Sequence, residues 1–366
     1  MASIITLVKE KRSLHRWYFK VKKDILRTQN ISHLSFSKND MPSELNQNKN
    51  TPYANLSPDL ILDAIESIGF QCSGSLLGLN SYENRVYQVG IEDSLPLIAK
   101  FYRPHRWSNE AILEEHQFAK ELIELEIPVV APLITNDHSL HLYQEFRFAL
   151  FPRKGGRALE LDNLDQLEWM GRFIGRLHAV SACRPFEHRS RLDIQTRGYD
   201  SYHFLIENKF IPGYLEPKFC QTIETLLKMI EDKFQQAGAI NYIRLHGDCH
   251  PGNVLWNDTG PHIVDLDDCL MGPAIQDIWM MLSGNEEQVS VQLNRILDGY
   301  YEFHDFNPRE IHLIESLRTL RMLQYAAWLA KRWEDPAFPL SFPWFNTAFY
   351  WQDLLQNLDE QINSLS

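Results

Sequence analysis

The stretch that most constrains this chain is Leu245-His246-Gly247-Asp248-Cys249-His250-Pro251-Gly252-Asn253-Val254-Leu255-Trp256, followed by Ile263-Val264-Asp265-Leu266-Asp267-Asp268. Asp248 and Asn253 are separated by a Pro251-Gly252 turn, so one loop can hold a carboxylate and an amide around the same small volume. Val254 to Trp256 and His262 to Val264 read as the arms of a hairpin joined by an Asn-Asp-Thr-Gly-Pro turn, which returns Asp265 beside that loop. A carboxylate that can accept a hydroxyl proton, an amide oxygen for magnesium and a second carboxylate for magnesium are the parts phosphoryl transfer requires. The same residues have two plainer readings, a hydrolase metal cluster built on His246-x-Asp248-x-His250 or a solvated acidic loop. A metallohydrolase would want further histidines at ligand spacing, and His188 and His203 lie in no such motif.

The 366 residues allow two or three globular units, and 44% hydrophobic with 23% charged residues excludes a disordered or collagen-like chain. The first clear helix signal is Ser57-Pro58-Asp59, an N-cap followed by proline, leading into Leu60, Ile61, Ala64, Ile65 and Ile68 on one face, with Gly69 as the closing residue. Extended runs follow at Arg85 to Val89 and Leu97 to Tyr102, then an acidic amphipathic helix around Asn109 to Glu126, then an extended pair around His141 to Phe151. Beyond Gly155-Gly156 the pattern is mostly helical, with Leu167, Met170, Ile174 and Leu177 at helical spacing, interrupted by a β-rich segment near residues 242 to 265. The expected fold is α+β and bilobal, a small N-terminal antiparallel β-sheet lobe plus a larger, mainly helical C-terminal lobe, joined near residues 152 to 156. The expected domains are a basic, disordered extension at 1–50, an N-terminal lobe at 51–152 and a C-terminal lobe at 153–366.

Charge is placed unevenly. The formal net charge is −12, yet residues 1–50 hold ten Lys or Arg against four acids, so that segment is +6 and the remainder −18. Such an acidic body argues against a whole-surface grip on nucleic acid. The basic arm reads as a poorly ordered extension, with Met41 as the native start, in preference to a tether for anionic lipid or nucleic acid. Five cysteines without a C-x-x-C pair fit neither a disulfide framework nor a zinc ribbon and suggest a reducing compartment. With neither an apolar run of about 18 residues nor the h-region of a signal peptide, the expectation is a cytoplasmic protein with no membrane or nucleic-acid partner.

His-Gly-Asp-x-His-x-x-Asn followed by Val-Asp-x-Asp resembles the aminoglycoside phosphotransferase and choline kinase-like group, whose fold is protein-kinase-like. The segments Leu79 to Tyr87, Lys100 to Pro104, Glu114 to Phe118 and Arg332 to Pro339 resemble, more narrowly, bacterial serine/threonine protein kinases of stress response within that group. The resemblance covers about residues 52 to 357. It implies Asp248 as proton acceptor, Asn253 and Asp265 as magnesium ligands, with Asp265 also in the catalytic set, and Ser81 in the loop covering ATP. In that frame Lys100 contacts the α- and β-phosphates, and Glu114 or Glu115 supplies its ion-pair partner, both remaining open. The implied ligands are Mg2+, ATP and a protein Ser or Thr, acted on by a monomer. The rival readings are a kinase of an amino alcohol or aminoglycoside-like compound, and a nucleotide-binding scaffold without turnover.

Departures from ordinary protein kinases are also visible. There is no G-x-G-x-x-G, only Gly78 ahead of Asn80-Ser81-Tyr82, so phosphate cover must come from a different turn. Gly247 stands where protein kinases have Arg, and no Ala-Pro-Glu follows Asp265, so a phosphorylated activation-loop switch is not expected. His178 reads as a hydrogen-bonded core histidine, and Asp277 as a helix cap or a brace for the 246–253 loop. Asp267 and Asp268 read as structural acids or helpers of the metal. Cys249, beside the proposed base, is a weaker candidate for a redox sensor. The aromatic run from Tyr325 to Trp351 reads as core rather than as a cage for a cationic ligand, and residues 184 to 242 as the helical insertion that meets the acceptor.

Overall fold

The computed structural model describes residues 52–366; the extension expected at 1–50, Met41 within it, lies outside the described residues. Helix α1 (Pro58–Glu66) starts as its sequence demands, with the Ser57 side chain accepting the Leu60 N–H and Pro58 in the first turn. It ends sooner than Gly69, at a Ser67 cap, and Gly69 takes φ +103 to turn the chain into the sheet.

Five antiparallel strands follow, β1 (Cys72–Gly78), β2 (Arg85–Ile91), β3 (Leu97–Phe101), β4 (His141–Tyr143) and β5 (Phe146–Pro152), in the order β1-β2-β3-β5-β4. Strand β1 was not legible in the sequence. Its Cys-Ser-Gly-Ser start is polar and mostly exposed, it lies at the sheet edge, and its register shifts between Cys72 and Leu76. In β3 the two-residue period separates two faces: Ala99 and Phe101 are buried with Ile61 and Ile65 of α1, while Lys100 faces the other way. Helix α2 (Asn109–Glu124), capped by Ser108, lies on that second face, where Ile112 meets Tyr102 and Ala149.

The larger part is helical: α3 (Leu164–Ser181), α4 (Asp200–Glu207), α5 (Glu216–Ala237), α6 (Ile275–Trp279), α7 (Glu286–Tyr300), α8 (Ile314–Lys331), α9 (Ala337–Ser341) and α10 (Ala348–Leu365). Two small sheets line its upper surface. Strands β6 (Arg157–Ala158), β8 (Val254–Asn257) and β9 (Gly260–Ile263) form one, and β7 (Ile243–Leu245) with β10 (Leu270–Gly272) the other. The expected hairpin is β8–β9, with Val254 opposite Ile263. The two lobes are the bilobal α+β arrangement read from the sequence.

Helices α3 and α7 approach until their backbones touch. A Cβ on Gly171 would overlap the Ile296 carbonyl, one on Gly175 would crowd Tyr300, and one on Gly299 would overlap the Glu168 carbonyl. Most of the aromatic run beyond α8 is core: Phe338, Phe342, Phe345 and Trp351 are at most 2% exposed and pack with Leu226, Leu323 and Leu354, whereas Phe349 is exposed. Among the described residues no helix is long and apolar enough to cross a membrane.

The close crossing makes a stability prediction. Gly171→Ala forces α3 and α7 apart and costs about 1–3 kcal/mol, read as a lower urea midpoint. Gly213→Ala, where a Cβ meets nothing within 4 Å, leaves the midpoint within about 0.5 kcal/mol of the parent.

Candidate active site

A cavity of about 1550 Å³ separates the sheet from the helical lobe. Val86, Ile98 and Lys100 line it from the sheet, and residues 79–84 cover one end. Asp248, Asn253, Leu255, Val264 and Asp265 line it from below, and it continues past Asp248 to Trp279, Arg318, Arg321, Tyr325 and Trp328.

The loop from His246 to Asn253 is held from beneath by Asp277, at the start of α6. One carboxylate oxygen accepts the His246 N–H at 2.8 Å and the other accepts the Gly247 N–H at 2.9 Å. His178, fully buried at the end of α3, bonds Asp277 through Nε2 (3.2 Å) and the Tyr300 hydroxyl of α7 through Nδ1 (2.9 Å). Of the two roles open to Asp277, the structure shows the brace, and the α3–α7 crossing sets its position. Gly247 has φ +84, and a Cβ there would strike the Asp268 carbonyl. An arginine at this position has no room, so the departure from protein kinases is steric.

The loop histidines are occupied by backbone. His246 Nε2 bonds the Val264 carbonyl at 3.0 Å while Nδ1 accepts the Asp248 N–H at 3.3 Å; His250 Nδ1 accepts the Gly252 N–H at 2.9 Å. This hydrogen bonding is incompatible with the hydrolase metal cluster considered from the sequence. Cys249 is 1% exposed and burial pushes its thiol well above the usual range, which makes it an inert structural cysteine rather than a sensor.

Lys100 gathers carboxylates from three places. Its Nζ lies 3.0 Å from Asp265 Oδ1, 3.2 Å from Asp267 Oδ1 and 3.5 Å from Glu115 Oε1. Burial alone would pull the ammonium down, but Asp265, Asp267 and Glu115 outweigh it and hold Lys100 well above the ordinary lysine value. Burial pushes the Glu115 carboxyl up to about 7 against the opposing pull of Lys100. Glu114, the other candidate, points away: its carboxylate accepts the backbone N–H groups of Glu187, His188 and Arg189 at 2.6–2.9 Å. Glu115 is thus the partner of Lys100, and Glu114 ties α2 to the helical lobe. Asp267 is 3% exposed and is further bonded by Arg106 and by Asn84 Nδ2 (3.0 Å), and Arg106 reaches Asp268 Oδ1 at 2.5 Å.

Asp248 lines the cavity with Arg321 Nη2 at 2.7 Å from Oδ1 and His250 Nε2 at 3.4 Å from Oδ2. Burial would raise this carboxyl, but Arg321 first and then His250 hold it well below the usual carboxylate range. Asn253 Nδ2 donates to the Asp248 carbonyl at 3.0 Å, which leaves its Oδ1 as the atom to meet a cation. Asp265 adopts a left-handed backbone, φ +64, and its side chain is 55% exposed. Among the described residues no group of three or more His, Cys, Asp or Glu is arranged to hold a metal. Magnesium in phosphoryl transfer instead takes one or two protein oxygens and completes its shell with water and phosphate, and Asp265 with Asn253 is a donor set of that kind.

The turn over the cavity is anchored at both sides. Ser81 Oγ donates to the Asn84 carbonyl at 3.0 Å, so this hydroxyl shapes the turn that the sequence assigned to phosphate cover. Glu83 accepts from Trp328 Nε1 at 2.6 Å and pairs with Arg332 at 2.7 Å and Arg103 at 3.6 Å. Arg103 continues to Asp335 at 3.0 Å, and the Tyr82 ring sits 4.7 Å from that of Phe342. The sequence reading missed Asn84, Arg106 and Arg321. Asn84 stood inside a quoted segment without a role, whereas nothing around Arg321 on α8 marks it as belonging to a site 73 residues earlier.

Comparison with known proteins agrees with this geometry. The profile of a family described as "Phosphotransferase enzyme family" matches residues 75–314. Stress response kinase A of Escherichia coli (strain K12) is 44% identical over 299 residues, 82% of this chain and 90% of that one. A protein of Salmonella typhimurium (strain LT2) named serine/threonine protein kinase RdoA is 44% identical over 313 residues, 86% of this chain and 94% of that one. In fold, a microcompartment-associated aminopropanol kinase superposes with a TM-score of 0.63 at 18% identity, covering 84% of this chain and 95% of that chain.

Replacing Asp277 by Asn sets an amide N–H against backbone N–H groups in a site 1% exposed. It is expected to lower stability by about 2–4 kcal/mol in urea unfolding and to speed hydrogen exchange at the His246 and Gly247 amides. Full protection of both amides in that variant would show that another group carries the loop.

Proposed function

The chain belongs to the phosphotransferase enzyme family, and from that premise we propose that it moves the γ-phosphoryl group of magnesium-ATP to a serine or threonine hydroxyl of a protein. The observation that carries the reading is the convergence of Asp248, Asn253, Asp265 and Lys100 on one cavity. Adenine fits the apolar slot between Val86 and Ile98 of the sheet and Leu255 and Val264 of the hairpin. Lys100, kept protonated by its carboxylates, faces the α- and β-phosphates, and Glu115 holds it there. The 79–84 turn, shaped by Ser81, covers the phosphates with backbone N–H groups in place of a glycine-rich loop. Asp265 and Asn253 Oδ1 would hold magnesium, which when bound neutralises phosphate charge. Asp248 stays ionised, orients the acceptor hydroxyl and takes its proton.

The relatives named as stress-response and serine/threonine kinases support a protein acceptor and a role in stress response. The second reading, a small-molecule acceptor, draws support from the α7 and α8 side chains that line the cavity together with Asp248, and from the fold likeness to an aminopropanol kinase. The same proposal divides the chain into a nucleotide lobe at 51–152 and a catalytic lobe at 153–366, acting as a monomer in the cytoplasm.

Asp248→Asn is expected to keep ATP affinity within about threefold while lowering transfer by at least about 10²-fold, measured with labelled ATP and separate nucleotide titration. Near-normal transfer in that variant would remove Asp248 from the reaction. Incubating wild type with γ-labelled ATP, magnesium, a generic protein acceptor and a panel of amino alcohols is expected to label protein. Label confined to a small molecule would replace the protein-kinase reading with the second one.

A further inference from the structure

The loop from His246 to Asn253 contains neither Lys nor Arg, so it provides no permanent positive charge beside Asp248. That charge arrives from elsewhere: Arg321 of α8 places Nη2 2.7 Å from Asp248 Oδ1 and lines the cavity. Its helix is rigidly seated, with Leu320 and Leu323 buried to either side and Arg197 bonded to Gln324 one residue beyond. Three other cations of the cavity are engaged in other places. Lys100 serves Asp265, Asp267 and Glu115, Arg106 serves Asp267 and Asp268, and Arg318 lies 3.6 Å from Glu315 with its guanidinium over the Trp279 ring.

Resting on the phosphotransferase reading above, we infer that Arg321 is a further catalytic residue, contacting the phosphoryl group as it passes to the acceptor. The acceptor oxygen forms a bond to the γ-phosphorus while the bond from that phosphorus to the bridging oxygen of ADP breaks. The electron pair of the broken bond leaves with ADP, and the hydroxyl proton goes to Asp248. Asp248 thereby becomes neutral, the departing electron pair adds its negative charge to the β-phosphate of ADP, and the transferred phosphoryl group stays dianionic beside the acceptor oxygen. A guanidinium already touching Asp248 loses its first partner at that moment and gains a second one bond beyond the hydroxyl oxygen. Its planar fork can hold a carboxylate oxygen and a phosphoryl oxygen together, which a lysine ammonium does with less geometric control. Lys100 stands on the ADP side of the transferring group and Arg321 on the acceptor side, so positive charge meets it from both directions.

The test is a double-mutant cycle. Arg321→Met and Arg321→Lys are made alone and with Asp248→Asn, with thermal melting to verify folding, and transfer is followed with labelled ATP on the acceptor class that wild type labels. The expected result for Arg321→Met is a loss in kcat of at least about 10²-fold, as arginines that stabilise phosphoryl transfer typically contribute. KM for ATP stays within threefold, and Arg321→Lys recovers part of the loss. In the Asp248→Asn background Arg321→Met still lowers the residual rate at least tenfold, and it weakens trapping of ADP with aluminium fluoride while leaving ADP binding unchanged. If the loss disappears in the Asp248→Asn background and trapping is unaffected, Arg321 only positions Asp248 and the inference is overturned. A kcat within threefold of wild type for Arg321→Met overturns it as well. Failure of wild type itself to transfer phosphate is a distinct result that overturns the underlying phosphotransferase reading together with this assignment.

Discussion

One buried ammonium organises this molecule. A lysine 6% exposed must be compensated where it lies, and Lys100 is compensated by Glu115 of a helix on its own lobe and by Asp265 and Asp267 from the end of a hairpin on the other. The strand that carries Lys100, the helix that lies behind it and the acidic turn below it are therefore fixed relative to one another. Asp267, held far below the ordinary carboxylate range once Lys100, Arg106 and Arg189 overcome its burial, stays ionised beside Lys100, whereas burial raises the Glu115 carboxyl to about 7.

The lower half of the site rests on a different device. Asp277 holds two successive backbone N–H groups, and His178 and Tyr300 hold Asp277, so the loop bearing Asp248 is suspended from the crossing of α3 and α7. Gly171, Gly175 and Gly299 set how near those helices come, and through them small residues far from the cavity govern the placement of its carboxylate. The position of Asp248 is thus a property of helix packing as much as of its own loop.

Much of this was legible from local pattern. The Asp248, Asn253 and Asp265 constellation lies within one loop and one hairpin, where spacing alone constrains geometry, while Lys100 was reached through the resemblance and its place in the extended run Leu97 to Tyr102. His178 as a core histidine followed from the stripe it ends. What the sequence could not separate was Glu114 from Glu115, because adjacent helical residues differ by about 100° and the choice depends on where the 187–189 backbone lies. Strand β1 escaped because its polar residues carry no hydrophobic period. Arg321 escaped because its partner is brought near only by tertiary packing. Gly247 was seen as a departure, but its cause, the nearby Asp268 carbonyl, belongs to the folded chain.

Glu83 joins the turn over the cavity to Trp328 and Arg332 at the end of α8, while Tyr82 rests on Phe342 and Arg103 reaches Asp335. The two lobes are consequently not interchangeable parts. A sheet lobe without an acid at position 83 would leave an indole N–H and a guanidinium stranded in a mostly dry joint. Glu83 on one side of this seam and Trp328 and Arg332 on the other are energetically coupled, so a change on either side alone unsettles the turn over the cavity.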